Sequence, residues 1–226
     1  VFSLHNLPGV PLGEIRCKEG IFASASVGMI VKLHGKTAHA GEPENGNSPA
    51  VPMADIIYEL EKLVENTELN DFSLLTIIHA RLGEIAFGTS PGYAEVMATL
   101  RAHRNDDLDK LKAEAQKKIK TIAEKKSLKV EFDWVEEFSS TLNDNESVEN
   151  IKQAASENNL TYNEMKSPYK WSEDFGYFLQ RYRGAMFGLG SGSKQPQLHN
   201  PDYDFPDDLI PKGTNMFKSL IKKHNY

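Results

Sequence analysis

Cysteine is almost missing from these 226 residues: Cys17 stands alone, so no internal disulfide can form, and the chain suits a reducing, cytoplasmic compartment. No apolar run approaches the ~18–20 residues that a membrane span needs, so no membrane partner is expected. Basic residues are outnumbered, 26 Lys and Arg against 32 Asp and Glu, for a formal net charge of −6. That leaves no broad cationic surface for phosphates, and nucleic acid is not an expected partner. An initiator Met and a charged or apolar leader are also lacking. Val1-Phe2-Ser3-Leu4 reads as a strand already under way, and the expectation is a fragment whose N-terminal part is missing. What is present, 39% hydrophobic and 26% charged residues, is the balance of a soluble globular protein with enough chain for a sizeable core.

Residues 1–24 are rich in turns, with Pro8-Gly9, Pro11, Gly13 and Gly20. Beyond them Val27, Met29, Val31 and Leu33 alternate with Ser26, Gly28, Ile30, Lys32 and His34, which predicts a half-buried strand. Ala50, Ala54, Ile57, Leu60 and Val64 fall at helical spacing and predict a helix over about 49–66. Strands are predicted over 72–80 and 93–102. A second helix starts at Asn105, with Leu108, Leu111, Ala115, Ile119 and Ile122 as its stripe, and a strand follows through Leu128, Val130, Phe132 and Trp134. The order β-α-β-β-α-β is the ferredoxin-like split βαβ arrangement: four antiparallel strands with both helices on one side, closed over residues 25–138.

Residues 139–226 form no such unit. Asn143-Asp144 cap a helix near 146–157, a second helix is predicted over about 172–181, a short apolar strand over 185–189 and a last helix over 207–223. One or two short strands make no sheet, so 1–24 and 139–226 read together as an incomplete outer α/β domain, interrupted by the inner α+β domain, with most of its sheet encoded upstream.

Of seven histidines, His34, His79, His103 and His224 read as structural or exposed. His5 is expected at the end of a strand, with its ring at the carboxyl edge of a sheet, where open α/β folds place ligands. His39 sits among small residues in Gly35-Lys36-Thr37-Ala38-His39-Ala40-Gly41, and His199 lies in the polar stretch before the final helix. No two have the close spacing of a helical metal motif, so a site must be assembled from distant loops. Ser172-Glu173-Asp174 reads either as a helix cap with first-turn carboxylates or as carboxylates close to a metal site. Gly188-Leu189-Gly190-Ser191-Gly192-Ser193-Lys194 fails the phosphate-loop spacing and reads instead as a flexible loop, with the Gly190 and Gly192 amides lining a substrate cleft. Cys17 has no activating motif and reads as structural.

Five blocks carry a family resemblance: Leu4-His5-Asn6-Leu7-Pro8-Gly9-Val10-Pro11-Leu12-Gly13, Gly35-Lys36-Thr37-Ala38-His39-Ala40, Thr99-Leu100-Arg101, Trp171-Ser172-Glu173-Asp174-Phe175-Gly176-Tyr177-Phe178 and Leu198-His199-Asn200-Pro201-Asp202-Tyr203-Asp204-Phe205. In this order the chain resembles the zinc-dependent aminoacylase and carboxypeptidase family of metallohydrolases, and within it the amidohydrolase branch of hippurate and plant auxin-conjugate hydrolases. The resemblance implies a catalytic α/β domain holding two divalent metal ions, Zn²⁺ with Mn²⁺ or Co²⁺ as alternatives, and a ferredoxin-like lid that forms a homodimer. By it, His5 and His199 are metal ligands, one for each ion. His39 is the lid histidine that steadies the substrate carbonyl as it becomes an oxyanion, and Arg101 pairs with a substrate carboxylate.

The implied reaction is hydrolysis of the amide bond of N-acyl amino acids or small peptides by metal-activated water. In that family the remaining ligands and the general-base Glu lie upstream of residues like these, so the isolated fragment is expected to be inactive and to bind few metals or none. Where relatives often carry Asn before the hairpin proline, this chain has Phe87-Gly88-Thr89-Ser90-Pro91. The alternative is a non-catalytic module in which the ferredoxin-like unit only dimerises or binds a ligand.

Overall fold

The alternation of Val27, Met29, Val31 and Leu33 sets one face of a strand whose partners obey the same period. In the computed structural model, which describes residues 1–224 with the His224 side chain outside what is described, the chain divides into two compact units, 1–24 with 139–226 and 25–138. In chain order the elements begin with β1 (Phe2–Pro8), β2 (Ile15–Cys17) and β3 (Gly20–Ala23). The inner unit holds β4 (Ala25–His34), β5 (Ala38–His39), α1 (Ala50–Glu61), β6 (Ser73–Leu82), β7 (Thr89–Ser90), β8 (Tyr93–Ala102), α2 (Asn105–Glu124) and β9 (Lys129–Phe138). The outer unit resumes with β10 (Thr141–Asn143), α3 (Asn145–Glu157), β11 (Tyr162–Glu164), α4 (Gly176–Leu179), β12 (Ala185–Gly192) and α5 (Leu209–His224).

The inner sheet is antiparallel in the order β6-β8-β4-β9, the strand order of a split βαβ unit. Val27, Met29, Val31 and Leu33 lie opposite Leu100, Ala98, Val96 and Ala94, so one face of the sheet is apolar along both central strands. Ile56 and Leu60 of α1 and Leu111, Ala115 and Ile119 of α2 join that face in a single fully buried cluster. A buried Leu or Ile contributes about 1.5–3 kcal/mol by transfer from water. The opposite face carries Lys32, paired to Asp133 at 2.6 Å, and Arg101. β5 and β7 form a small separate ribbon in which His39 faces Thr89.

The outer unit holds more sheet than its sequence shows. Four strands pair in the order β1-β12-β2-β11, with β1 parallel to β12, β12 antiparallel to β2, and β2 parallel to β11; β3 and β10 form a further antiparallel pair. Ile15, Cys17, Phe187 and Leu189 pack with Ile151 of α3 and Met216 and Leu220 of α5 in one core. Phe22, Ala23 and Met186 form a second, with Met165, Tyr169, Trp171 and Phe175 against it.

Three expectations are corrected. The helix over 172–181 shrinks to the four residues of α4, capped at Phe175 rather than Ser172. A Cβ on Gly176 would stand 2.4 Å from the Ser139 carbonyl oxygen, so only glycine fits at the first residue of α4. β1 runs on to Pro8, which puts His5 inside the strand rather than at its end. And the predicted flexible loop from Gly188 is strand through Gly192, buried up to Ser191, with a register shift at the Leu7/Pro8 step.

Candidate functional site

β1 and β12 are parallel neighbours, and His5 lies opposite Gly188 between them. The Leu7 side chain packs over Gly188, where a Cβ would stand 2.1 Å from Leu7 Cδ1, so no larger residue fits opposite His5. The His5 ring is held on both edges. Its Nδ1 lies 2.7 Å from the Asn6 carbonyl oxygen and its Nε2 3.2 Å from Glu173 Oε1. The Glu173 carboxylate raises the ring above the ordinary histidine value of 6.5, although burial opposes it. Trp171 covers the ring with centroids 4.8 Å apart.

This donor set suits a divalent cation. With the Nδ1 proton donated to a carbonyl, the neutral ring offers its Nε2 lone pair, the arrangement in which histidine binds metals. A carboxylate oxygen 3.2 Å from that nitrogen is spaced as two ligands of one ion are, each about 2.0–2.2 Å from it. Among the described residues no group of three or more His, Cys, Asp and Glu side chains could hold an ion.

His199 is exposed, in the loop between β12 and α5, with a left-handed backbone (φ 70°). Short turns order the loop: Asn200 N donates to Gln197 O at 3.2 Å and Tyr203 N to Asn200 O at 3.0 Å. Asn6 Nδ2 donates to the Tyr203 hydroxyl, so the loop that carries His199 is tied to β1 one residue from His5. The ring contacts of His5 are with Asn6, Glu173 and Trp171, and do not include His199.

In the inner unit His39 is exposed at the end of β5, and its Nδ1 accepts the Gly41 amide proton at 3.0 Å. A neutral ring that accepts at Nδ1 carries its proton on Nε2, which makes Nε2–H an outward donor. Arg101 is half-buried on β8, opposite Ser26 and Leu74, and burial pulls its guanidinium down from the ordinary value. Gly190 and Gly192 fit less well with the expected role: their amides donate to Glu14 O and Val10 O, each at 2.8 Å, and are not open to a substrate. A cleft of about 680 Å³ opens elsewhere, lined by Val1, Phe2, Asp144, Arg183 and Phe217, with no imidazole among the described residues that line it.

Glu173 is the residue whose contact sequence reasoning leaves open. Its signal is the spacing Tyr169, Trp171, Glu173, which is legible only once the stretch is known to be non-helical.

The chain is 26% identical over 227 residues to the N-acetyldiaminopimelate deacetylase of Lactobacillus helveticus, covering 97% of this chain and 58% of that protein. It is 29% identical over 219 residues to the enzyme of the same name from Lacticaseibacillus casei, covering 93% of this chain and 55% of that protein. The chain thus spans a little over half the length of these relatives. Its fold matches a Bacillus subtilis protein described as a dinuclear metal binding peptidase from the M20 family, with a TM-score of 0.76 at 19% identity, over 97% of this chain and 55% of that one. The sequence model of peptidase family M20/M25/M40 runs through both units, from residue 1 to residue 223, and this chain belongs to that family.

Proposed function

We propose that this chain supplies part of the active centre of a metal-dependent amidohydrolase that removes the acyl group from a small N-acyl amino acid. The observation that carries the reading is the His5 ring, with Nδ1 against a carbonyl and Nε2 turned to a carboxylate. In this reading His5 and His199 each hold one ion of a zinc pair. Bound metal would acidify a water and polarise the amide carbonyl.

The remaining roles belong to the chain itself. His39 donates Nε2–H to the developing oxyanion, a donor of the kind worth about 10²–10³ in kcat. Arg101 offers a half-desolvated guanidinium to a substrate carboxylate, where a charge-assisted bidentate bond is stronger than in water. Residues 25–138 act as the ferredoxin-like lid through which two copies associate. The names of the relatives support deacylation and leave the acyl group and amino acid of this protein open to assay.

The test is made on three variants. His5→Ala and His199→Asn should each lower bound zinc, measured by elemental analysis, and abolish release of acetate from N-acetyl amino acids by the full-length gene product. His39→Gln should keep the zinc and lower kcat. Unchanged zinc in His5→Ala, or lost zinc in His39→Gln, overturns the assignment.

A further inference from the structure

The stretch between β11 and α4 has a regularity that the metal reading leaves unused. Tyr169, Trp171 and Glu173 are alternate residues of a non-helical stretch that bends at Lys170 and Trp171, and their side chains gather on the side toward His5. Backbone bonds fasten the stretch to the end of β3. Tyr169 N donates to Phe22 O at 2.8 Å, and Ser24 N donates to the Tyr169 and Trp171 carbonyls at 3.1 and 3.0 Å. The Ser24 hydroxyl adds a bond to Tyr169 O at 2.8 Å.

On the shared face the rings follow one another. Tyr169 and Trp171 stack with centroids 4.6 Å apart and planes 18° apart, and Trp171 then meets His5 at 4.8 Å and 30°. Phe22 stands edge-on to both Tyr169 and Trp171, at 5.3 and 5.9 Å. Glu173 completes the series at the His5 Nε2 edge.

We propose that residues 169–171 are the positioning device for His5, with Trp171 as its positioning residue. An imidazole can turn about two side-chain torsions. The Asn6 carbonyl restrains the Nδ1 edge and the indole one face, which leaves Nε2 facing Glu173. Because the indole is itself sandwiched by Tyr169 and braced by Phe22, it acts as a fixed wall. A ligand so held needs no reordering when a cation arrives, and outer partners of this kind set affinity by about 10–100-fold. The functional consequence rests on the reading of His5 as a metal ligand; the ordering of the ring does not.

The experiment uses the 226-residue chain, labelled at histidine, for the ring resonances and the full-length gene product for zinc affinity, each with the variants Trp171→Leu, Trp171→Phe and Glu173→Gln. In the metal-free wild type the His5 ring should give one sharp set of resonances with cross-relaxation to the Trp171 indole. Trp171→Leu should broaden or double that set and weaken Zn²⁺ binding, measured against a competing chelator, by about 10–100-fold. Trp171→Phe, which keeps an aromatic face, should restore both. Glu173→Gln, a conservative change at a partly exposed side chain, should keep the stack and weaken zinc binding. His5 resonances and zinc affinity in Trp171→Leu equal to wild type would overturn the proposal. An ordered ring in wild type, together with unchanged zinc in the His5→Ala variant of the full-length gene product, would overturn the ligand reading and leave the positioning device standing.

Discussion

The side chain of Asn143 pairs with the backbone of Met186 as a neighbouring strand residue would: Met186 N donates to Asn143 Oδ1 at 2.8 Å, and Asn143 Nδ2 donates to Met186 O at 2.9 Å. The same Nδ2 reaches Lys18 O at 3.0 Å, so one buried amide joins β10, β12 and the turn after β2. Asn143→Ala leaves the Met186 amide and carbonyl without partners and should cost about 2–3 kcal/mol, read from urea unfolding. Asn143→Asp should cost more at neutral pH, because a carboxylate cannot donate to either carbonyl.

Asp144 accepts from the Ser147 amide and hydroxyl at 3.0 Å each, and from Arg183 at 3.1 Å, at the start of α3. Burial alone would raise its carboxyl, but the Ser147 and Arg183 donors outweigh burial and hold it below the ordinary 3.8. A carboxyl lowered in the folded chain stabilises fully above its unfolded value and ceases to do so as pH falls through the folded one. Stability should therefore fall below about pH 4, and Asp144→Asn should flatten that acid limb. At pH 7 Asp144→Ala should cost about 1 kcal/mol as a lost cap. Chemical unfolding across pH 7 to 2 checks both.

Gly190 and Gly88 should respond oppositely to a methyl group. A Cβ at Gly190 would stand 2.1 Å from the Pro11 carbonyl oxygen, whereas one at Gly88 meets nothing within 4 Å. Gly190→Ala should lose about 3 kcal/mol or more, and Gly88→Ala should stay within about 0.5 kcal/mol of wild type by thermal melting.

At His199 the left-handed backbone favours Asn and disfavours branched residues. His199→Val should therefore destabilise by about 1 kcal/mol or more relative to His199→Asn, which keeps the turn and removes only the imidazole. Equal melting temperatures for the two would show that the loop relaxes freely.

The inner unit is legible because its strands are long enough for a period-2 signal to repeat: Ala94, Val96, Ala98, Leu100 and Ala102 point one way in β8, over the predicted 93–102. Ile15–Cys17, Thr141–Asn143 and Tyr162–Glu164 are three-residue strands, too short for any period to show, and with them most of the outer sheet stays hidden. The 169–173 stretch misleads for a different reason. Ser172 followed by two carboxylates imitates a helix start, while the backbone bonds that fix the stretch in a bent, non-helical path come from Phe22 and Ser24, far away in sequence. His5, His39 and His199 can be singled out from their flanking residues, but the meeting of His5 with Glu173 is a tertiary fact. The Gly190 and Gly192 amides look free in sequence because their acceptors, Glu14 and Val10, belong to a distant turn.

Ser26 and Phe138, next to the two ends of the inner unit, are register partners on neighbouring strands. The unit therefore leaves and returns at nearly one point. For β3 and β10 of the outer unit, which flank it and pair with each other, an unfolded insertion of this length would add about 3–4 kcal/mol of loop-closure entropy over a tight turn. Once the insertion has folded, that entropy is already gone and β3 and β10 meet as though across a short turn. Folding is thus expected to run from the inside outward, with the β3–β10 pairing following the inner unit.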